Sequence, residues 1–528
     1  MSRTTPSEAG TGEPDVVLSR STIYVIFSAL LAAMFLSALD QSVVGTALPT
    51  IVGDLNAAQH EGWIITAYLL AIAIVMPIYG KLGDLRGRRA PFLVAITIFV
   101  IGSTGSAVSS SFVDLVVWRS IQGLGAGGLV ILSQAIIADI VSARERGKYM
   151  GPMGAVFGVA TVAGPLLGGW FTDGPGWRWC FWLNVPIGLT ALAIAWFRLR
   201  LPSRTPGSRF DLGGAVLMAA TTAGIVLLTS WSSISPERRY DWSSPWLIGV
   251  LVGTVVALAA FLVVETRAVD PLIPLHLFRS RTFTVSVSIA LVMGMTMFAA
   301  LSFLPTFLQM AGGYDATDAG LLMLPMTVGL MITAIGSGLL ITAKGRYKIF
   351  PILGMGITTI GLVLLTQLTA DMSMVTFGAM IFVLGFGLGL VMQTIVIAVQ
   401  NAVSPDLVGV ATSTNNFLRE IGAAVGTSVF STVFTANLAT RLADATRAVP
   451  AGDVPPGFGA DSLTPEAVAQ LPSRLHDLVV DAYTEALAPA FWYLVPLGLV
   501  GFAIAFLMKE IKLSDKAGLV ARGAAVVR

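Results

Sequence analysis

The chain has 528 residues, 55% of them hydrophobic and only 12% charged, with a formal net charge of +2. That is about half the charge density of an ordinary soluble domain, and apolar runs of 18 residues or more, each able to cross a hydrocarbon core about 30 Å thick, recur along the whole length. One all-α polytopic bundle is expected rather than a string of soluble domains; scattered charge argues against nucleic acid as a partner, and the lone Cys180 with far-apart His60, His276 and His476 argues against a disulfide, a metal site or a bound cofactor.

Met1 to Arg20 is polar and lacks the charged start, short apolar core and small-residue cleavage site of a signal peptide. Residues 1–22 are therefore expected to form a tail. Fourteen spans follow, at about 23–50, 61–79, 91–109, 112–138, 149–170, 181–197, 211–230, 245–264, 283–308, 319–342, 350–368, 373–400, 409–434 and 488–508. Of the 32 Lys and Arg, Arg119 and Arg419 lie within spans. Arg178, Arg238, Arg239, Arg441, Arg447 and Arg474 fall on one side, and the other 24 fall on the side that carries both chain ends. Basic loops stay inside, so both termini are expected to be cytoplasmic, in a multi-pass protein of the cell (inner) membrane.

An internal repeat organises the spans. Gly80 to Arg88 reads G-K-L-G-D-L-R-G-R and Gly338 to Arg346 reads G-L-L-I-T-A-K-G-R, 258 residues apart. Gly123, Gly125 and Gly127 return 262 residues later as Gly385, Gly387 and Gly389. The expected units are a six-helix bundle over 23–199, two inserted helices with linkers over 200–282, a second six-helix bundle over 283–508 with an extracytoplasmic loop at 435–487, and a tail at 509–528. Parallel six-span repeats are a transporter architecture, with the binding site between the halves. The echo degrades at two charged positions: Asp84 becomes Thr342 and Arg119 becomes Ile381.

In chain order, Asp40 is the only acid of the first run, Ile23 to Ile51. A carboxylate at that depth costs roughly 2.5–3.5 kcal/mol, so it is read as functional; the competing reading is a plain salt bridge to a neighbouring helix. Arg119 on span 4 lies at a similar depth and is the available partner. Opposite charge favours the ionised carboxylate and burial the neutral one, so a change of surroundings would load and unload a proton. Tyr68 near the outer end of span 2 reads either as an interfacial aromatic or as a cavity residue. Gly80, Gly83, Asp84, Arg86, Gly87, Arg88 and Arg89 form a glycine-punctuated basic turn with one acid, able to accept from an arginine or from the amides at a helix N-terminus of the other half. Gln122 and Gln134 on span 4 are expected to offer polar contacts in the substrate cavity. Span 5 carries Gly154, Gly158, Gly164, Pro165, Gly168 and Gly169, which permit close helix approach and a kink. Asn184 on span 6 is either a cavity residue or a packing hydrogen bond.

The stretches L-D-Q-S-V-V-G-T-A-L-P, G-K-L-G-D-L-R-G-R-R, W-R-S-I-Q-G-L-G-A-G and G-V-A-T-V-A-G-P-L-L-G-G resemble the signature motifs of the major facilitator superfamily. With fourteen spans, the chain is similar to the drug:proton antiporters of the QacA and EmrB kind. The resemblance implies export of diverse hydrophobic or cationic compounds driven by the proton gradient, a coupling role for Asp40 and Arg119, a gating role for Gly80 to Arg89, and an antiporter-associated helix at Gly154 to Gly169.

Spans 7 and 8 carry no embedded charge and are expected at the periphery. Span 9 brings Met293, Met295, Met297, Phe298, Phe303 and Phe307, an adaptable apolar wall suited to a promiscuous pocket. Gln393 on span 12 and Asn416 on span 13 are expected to line the substrate cavity, as are Phe303 and Phe307. Span 13 holds Asn415, Asn416, Arg419 and Glu420, and adjacent positions on a helix point about 100° apart, so Arg419 and Glu420 are each expected to find a separate partner. Glu420 reads as a second proton site, a site for cationic drugs, or a structural salt bridge. A short helical hairpin is expected within Ala436 to Leu487. The expected partners are small-molecule drugs or amphiphiles, protons and the lipid bilayer, and the chain is expected to act as a monomer. A lipid, siderophore or metabolite exporter of the same fold is the alternative, and a polytopic membrane enzyme the remote one; no Walker A motif appears.

Overall fold

The computed structural model describes residues 17–55, 57, 60, 62–201, 210–234, 244–447, 449–450, 467–468, 470–515 and 526–527. Most of the N-terminal tail, the linker over 202–209, Arg238 and Arg239, the middle of the expected 436–487 hairpin and the end of the C-terminal tail lie outside these residues. Among the described residues, thirteen helices are long and apolar enough to cross a membrane, and the 17-residue helix Ile349–Leu365 makes a fourteenth segment.

The first half comprises α1 (Arg20–Asp54), α2 (Gly62–Arg86), α3 (Arg89–Val108), α4 (Phe112–Ile140), α5 (Arg146–Asp173) and one span broken into α6 (Trp179–Trp182) and α7 (Asn184–Arg198). The inserted pair is α8 (Leu212–Ile234) and α9 (Pro245–Arg267). The second half comprises α10 (Arg281–Gly312), α11 (Ala316–Leu322), α12 (Leu324–Lys344), α13 (Ile349–Leu365), α14 (Met374–Asn401), α15 (Val408–Arg447), α16 (Ser473–Ala490) and α17 (Val495–Phe506). Several starts are set by one side chain that takes an otherwise orphaned amide: Ser19 Oγ accepts from Thr22 N, Ser111 Oγ from Asp114 N, and Ser373 Oγ from Thr376 N, each at 3.2 Å.

Within each half the glycine-rich fourth helix is the spine. α4 packs on α2 and α3, and α14 on α12 and α13. The repeated glycines explain the closeness: a Cβ on Gly123 would meet the Tyr68 carbonyl, and one on Gly385 the Met326 carbonyl. The halves meet chiefly through two pairs, α5 on α12 and α2 on α15, with α5 also touching α14 and α4 touching α15. The basic loops lie at one end of the bundle, here called the basic end; the other is the far end.

Two elements depart from the sequence expectation. Residues 436–447 continue α15, and α16 leads through the single turn Phe491–Tyr493 into α17, so at the far end the described parts of the expected loop are extensions of two spans that pack side by side. Their apolar residues, Leu438, Leu442, Leu475 and Val479, are buried, which is why the extensions persist as helix beyond the bilayer thickness. The inserted pair is not wholly peripheral: α9 is mostly exposed, but α8 packs on both α2 and α15.

Candidate functional site

Asp40 on α1 and Arg119 on α4 are each 1% exposed and form an ion pair, Arg119 Nη1 with Asp40 Oδ2. The other oxygen, Asp40 Oδ1, accepts from Gln122 Nε2 and from Asn184 Nδ2, both at 2.7 Å. Arg119 Nη1 also donates to Gln122 Oε1 at 2.8 Å, and Asn184 Nδ2 to Ser103 Oγ at 3.0 Å. The guanidinium lies over the Tyr68 ring, 4.0 Å from its centroid, while the Tyr68 hydroxyl donates to the Ser37 carbonyl at 3.1 Å. A buried charge is tolerable only when paired and hydrogen-bonded, and here four helices supply the partners. Tyr68, Gln122 and Asn184 thus turn to the ion pair; none of them lines the cavity in this conformation.

That cavity, of about 590 Å³, lies among α1, α2, α8, α10 and α15, toward the far end. Gln41, the residue after Asp40, lines it, so the buried carboxylate is one residue removed from its wall. Leu48, Ile65, Leu69, Phe298 and Phe303 give it an apolar body. Thr66, Thr229, Ser230, Ser302, Thr427, Ser428 and Ser431 give it hydroxyls, and Glu420 is its one charged lining residue. Size and mixture suit a small amphiphile. Glu420 does not have a partner of its own: Arg419 Nη2 reaches it at 3.0 Å, because a long arginine can curl around the helix. The acid stays the more accessible member, 16% exposed against 3%. Phe307 is instead packed against Phe377, ring centroids 6.0 Å apart.

The basic end is sealed by contacts between the halves. Asp84 at the end of α2 receives the amides of Gly409 at 3.0 Å and Val410 at 2.8 Å, the first turn of α15. Arg88 holds Asp84 from behind at 3.0 Å and also pairs with Asp139. Burial alone would push the Arg88 guanidinium down; the two acids more than offset it and hold its pKa above the ordinary value. The pseudo-symmetric contact exists too: Thr342 Oγ1, at the position of Asp84 in the repeat, receives the amide of Lys148 at 3.1 Å, in the first turn of α5. The hydroxyl keeps the acceptor without the charge. Deeper in, Gln134, Gln393 and Asn416 do not line the cavity as expected: Asn416 Nδ2 donates to Gln134 Oε1 at 2.9 Å across the halves, and Gln400 Nε2 to the Gln134 carbonyl at 3.3 Å. Gln393 is buried, and among the described residues neither end of its amide is hydrogen-bonded. Of the other loop residues, Gly80 abuts Ser413 and Gly409, Gly83 abuts Leu132, Gly87 takes φ +85° to end α2, Arg86 is exposed, and Arg89 donates to the Trp196 carbonyl at 2.9 Å.

The α5 glycines divide their work. Gly154 faces Gln393 and Gly158 faces Thr327, both on the second half, while Gly164 and Gly168 let α1 approach at Ser42 and Thr46. Pro165 and Gly169 abut Gly320 and Thr317. A close crossing of the halves lies at the basic end, where a Cβ on Gly147 would collide with the Gly338 carbonyl. Gly147→Leu is expected to wedge this end open, so spin labels on exposed Ala90 and Ser404, one on each half, should show a lengthened separation; an unchanged distance would mean the crossing is not needed for closure.

Among the described residues no group of three or more His, Cys, Asp or Glu is placed to hold a metal, and Cys180 is buried and free. Two six-helix halves with two inserted helices, enclosing a cavity beside a buried ion pair, define a multi-pass membrane transporter rather than an enzyme. Residues 30–427 match the sequence model of the Major Facilitator Superfamily, and the chain belongs to that family. It is 38% identical over 514 residues to an uncharacterized MFS-type transporter of Mycobacterium tuberculosis (strain ATCC 25618 / H37Rv), covering 97% of this chain and 73% of that protein. It is 32% identical over 515 residues to the multidrug transporter protein MdtP of Bacillus subtilis (strain 168), covering 93% and 94%. Its fold is shared with the human organic anion transporter MFSD10, at a TM-score of 0.61 and 16% identity over 92% of this chain and 99% of that one.

Proposed function

We propose that this transporter is a proton-coupled multidrug exporter of the cell membrane, moving hydrophobic or cationic compounds outward by alternating access, with both termini cytoplasmic. The observation that carries the reading is the buried Asp40, tied to Arg119, Gln122 and Asn184 one residue from the cavity wall. In this scheme protonation of Asp40 releases Arg119 and lets the halves rearrange. The similarity to MdtP, a multidrug transporter, supports the cargo class. The seal supports alternation: Asp84 receives the amides of Gly409 and Val410 across the halves at the basic end, while the cavity lies toward the far end.

The test is transport of a fluorescent monocation by the full chain in vesicles under an imposed pH gradient. Concentrative transport that collapses with the gradient is expected; transport indifferent to it would defeat the coupling. Glu420→Gln should lower the affinity for the cation about tenfold, as expected for loss of one partly buried charge contact of roughly 1.5 kcal/mol, and leave a neutral substrate of similar size unaffected. Equal effects on both cargoes would make Glu420 structural.

A further inference from the structure

The duplicated loops differ in how their cations are compensated. In the first half, Arg88 pairs with Asp84 and Asp139, Lys81 lies 4.0 Å from Asp270, and Arg89 is bonded to the Trp196 carbonyl. In the second half both of the acids around Arg88 are replaced by neutral residues: Asp84 corresponds to Thr342 and Asp139, at the 262-residue offset, to Asn401. Arg346, the counterpart of Arg88, lacks that pairing, and among the described residues neither it nor Lys344 or Lys348 makes an ion pair or a side-chain hydrogen bond. Gly345, at φ +69°, turns the chain sharply between α12 and α13 and gathers the three cations around one cavity of about 540 Å³. Its single carboxylate, Glu510, accepts from the Tyr347 amide at 3.0 Å and leaves a surplus of positive charge. The remaining wall is apolar, and two of its members, Leu340 and Ile349, are 45% and 49% exposed at the ends of membrane-spanning helices, where they meet lipid.

We propose that this cavity binds the phosphate of an anionic phospholipid, with Lys344, Arg346 and Lys348 around the headgroup and an acyl chain along Leu340 and Ile349. Basic pockets at a membrane surface attract anionic headgroups, and mutual repulsion of three close cations is relieved by a bound anion. Free phosphate shares the headgroup chemistry but makes no use of the apolar wall. The site is remote from the central cavity and does not rest on the transport reading.

The full chain, purified in uncharged detergent, would be titrated with short-chain phosphatidylglycerol, short-chain phosphatidylcholine and inorganic phosphate, with bound lipid counted by native mass spectrometry. Phosphatidylglycerol should bind in preference to phosphatidylcholine, and inorganic phosphate in tenfold excess should fail to displace it. Binding should weaken roughly fivefold for each cation neutralised in the series Arg346→Gln, then the triple variant with Lys344→Gln and Lys348→Gln. Lys509→Gln with Lys512→Gln, at the same end but outside the cavity wall, should bind as wild type does. Equal binding of the two lipids, displacement by phosphate, or an unaltered triple variant would each overturn the proposal. Since Arg346 is exposed, its single substitution carries the test should the triple variant fold poorly.

Discussion

Asp40→Asn is expected to abolish uphill transport of a fluorescent cation while leaving downhill exchange of the same dye measurable. The wild-type carboxylate accepts from Arg119, Gln122 and Asn184; asparagine keeps the shape but offers no charge and no proton to exchange. Exchange of one proton for one monocation moves no net charge, so the drive is the imposed pH difference: about 1.7 units supplies roughly 2.3 kcal/mol per proton, at about 1.36 kcal/mol per unit, enough for a concentration ratio of about 50. The variant should therefore fall from a ratio of that order to near unity under the same imposed gradient. It also leaves the Arg119 charge buried without a counter-ion, beside Gln122 and the Tyr68 and Phe181 rings, which costs about 3–5 kcal/mol and predicts a lower melting temperature. The double variant Asp40→Asn with Arg119→Gln removes the stranded charge, so it should regain stability and remain uncoupled. If Asp40→Asn alone concentrates dye as wild type does, Asp40 has no part in coupling.

The spans were legible because lipid enforces hydrophobicity over a fixed length, and the meeting of Asp40 with Arg119 because two charges at one depth in oil have few other choices. The direction in which a polar side chain points was not legible. Gln122 reads as a cavity residue, and Asn184 as a cavity residue or a packing bond, until the three-dimensional path of α6 and α7 brings Asn184 to the same oxygen as Gln122. The hydroxyls of the cavity, Thr427, Ser428 and Ser431 on α15, carry no signal, since small polar residues also serve close helix packing. Lack of charge in α8 looked like a mark of the periphery, yet Val226, Thr229 and Ser230 form part of the wall; a cavity for amphiphiles needs little charge. Arg419 with Glu420 shows the limit of helical-wheel reasoning, because a side chain as long as arginine reaches around the angle that separates neighbours.

Asp84→Ala should shift the conformational balance away from the closed basic end. The carboxylate caps the first turn of α15 across the boundary between the halves, and its loss leaves two buried amides without an acceptor at about 1–3 kcal/mol each. That cost falls only on the closed state, because separating the halves exposes the amides to water. A bias of 2 kcal/mol or more changes the ratio of the two states about thirtyfold or more, since roughly 1.4 kcal/mol is tenfold. Spin labels at Ala90 and Ser404 should accordingly pass from a predominantly short separation to a predominantly long one. Turnover should fall with it, because a cycle needs both states populated. Thr342→Val tests the pseudo-symmetric contact, where a hydroxyl receives one amide from α5, and its shift should be the smaller of the two. Should Asp84→Ala leave the distance distribution unmoved while Thr342→Val lengthens it, the closure would be held by α5 and α12, and the charged turn of the first half would be a topological signal only.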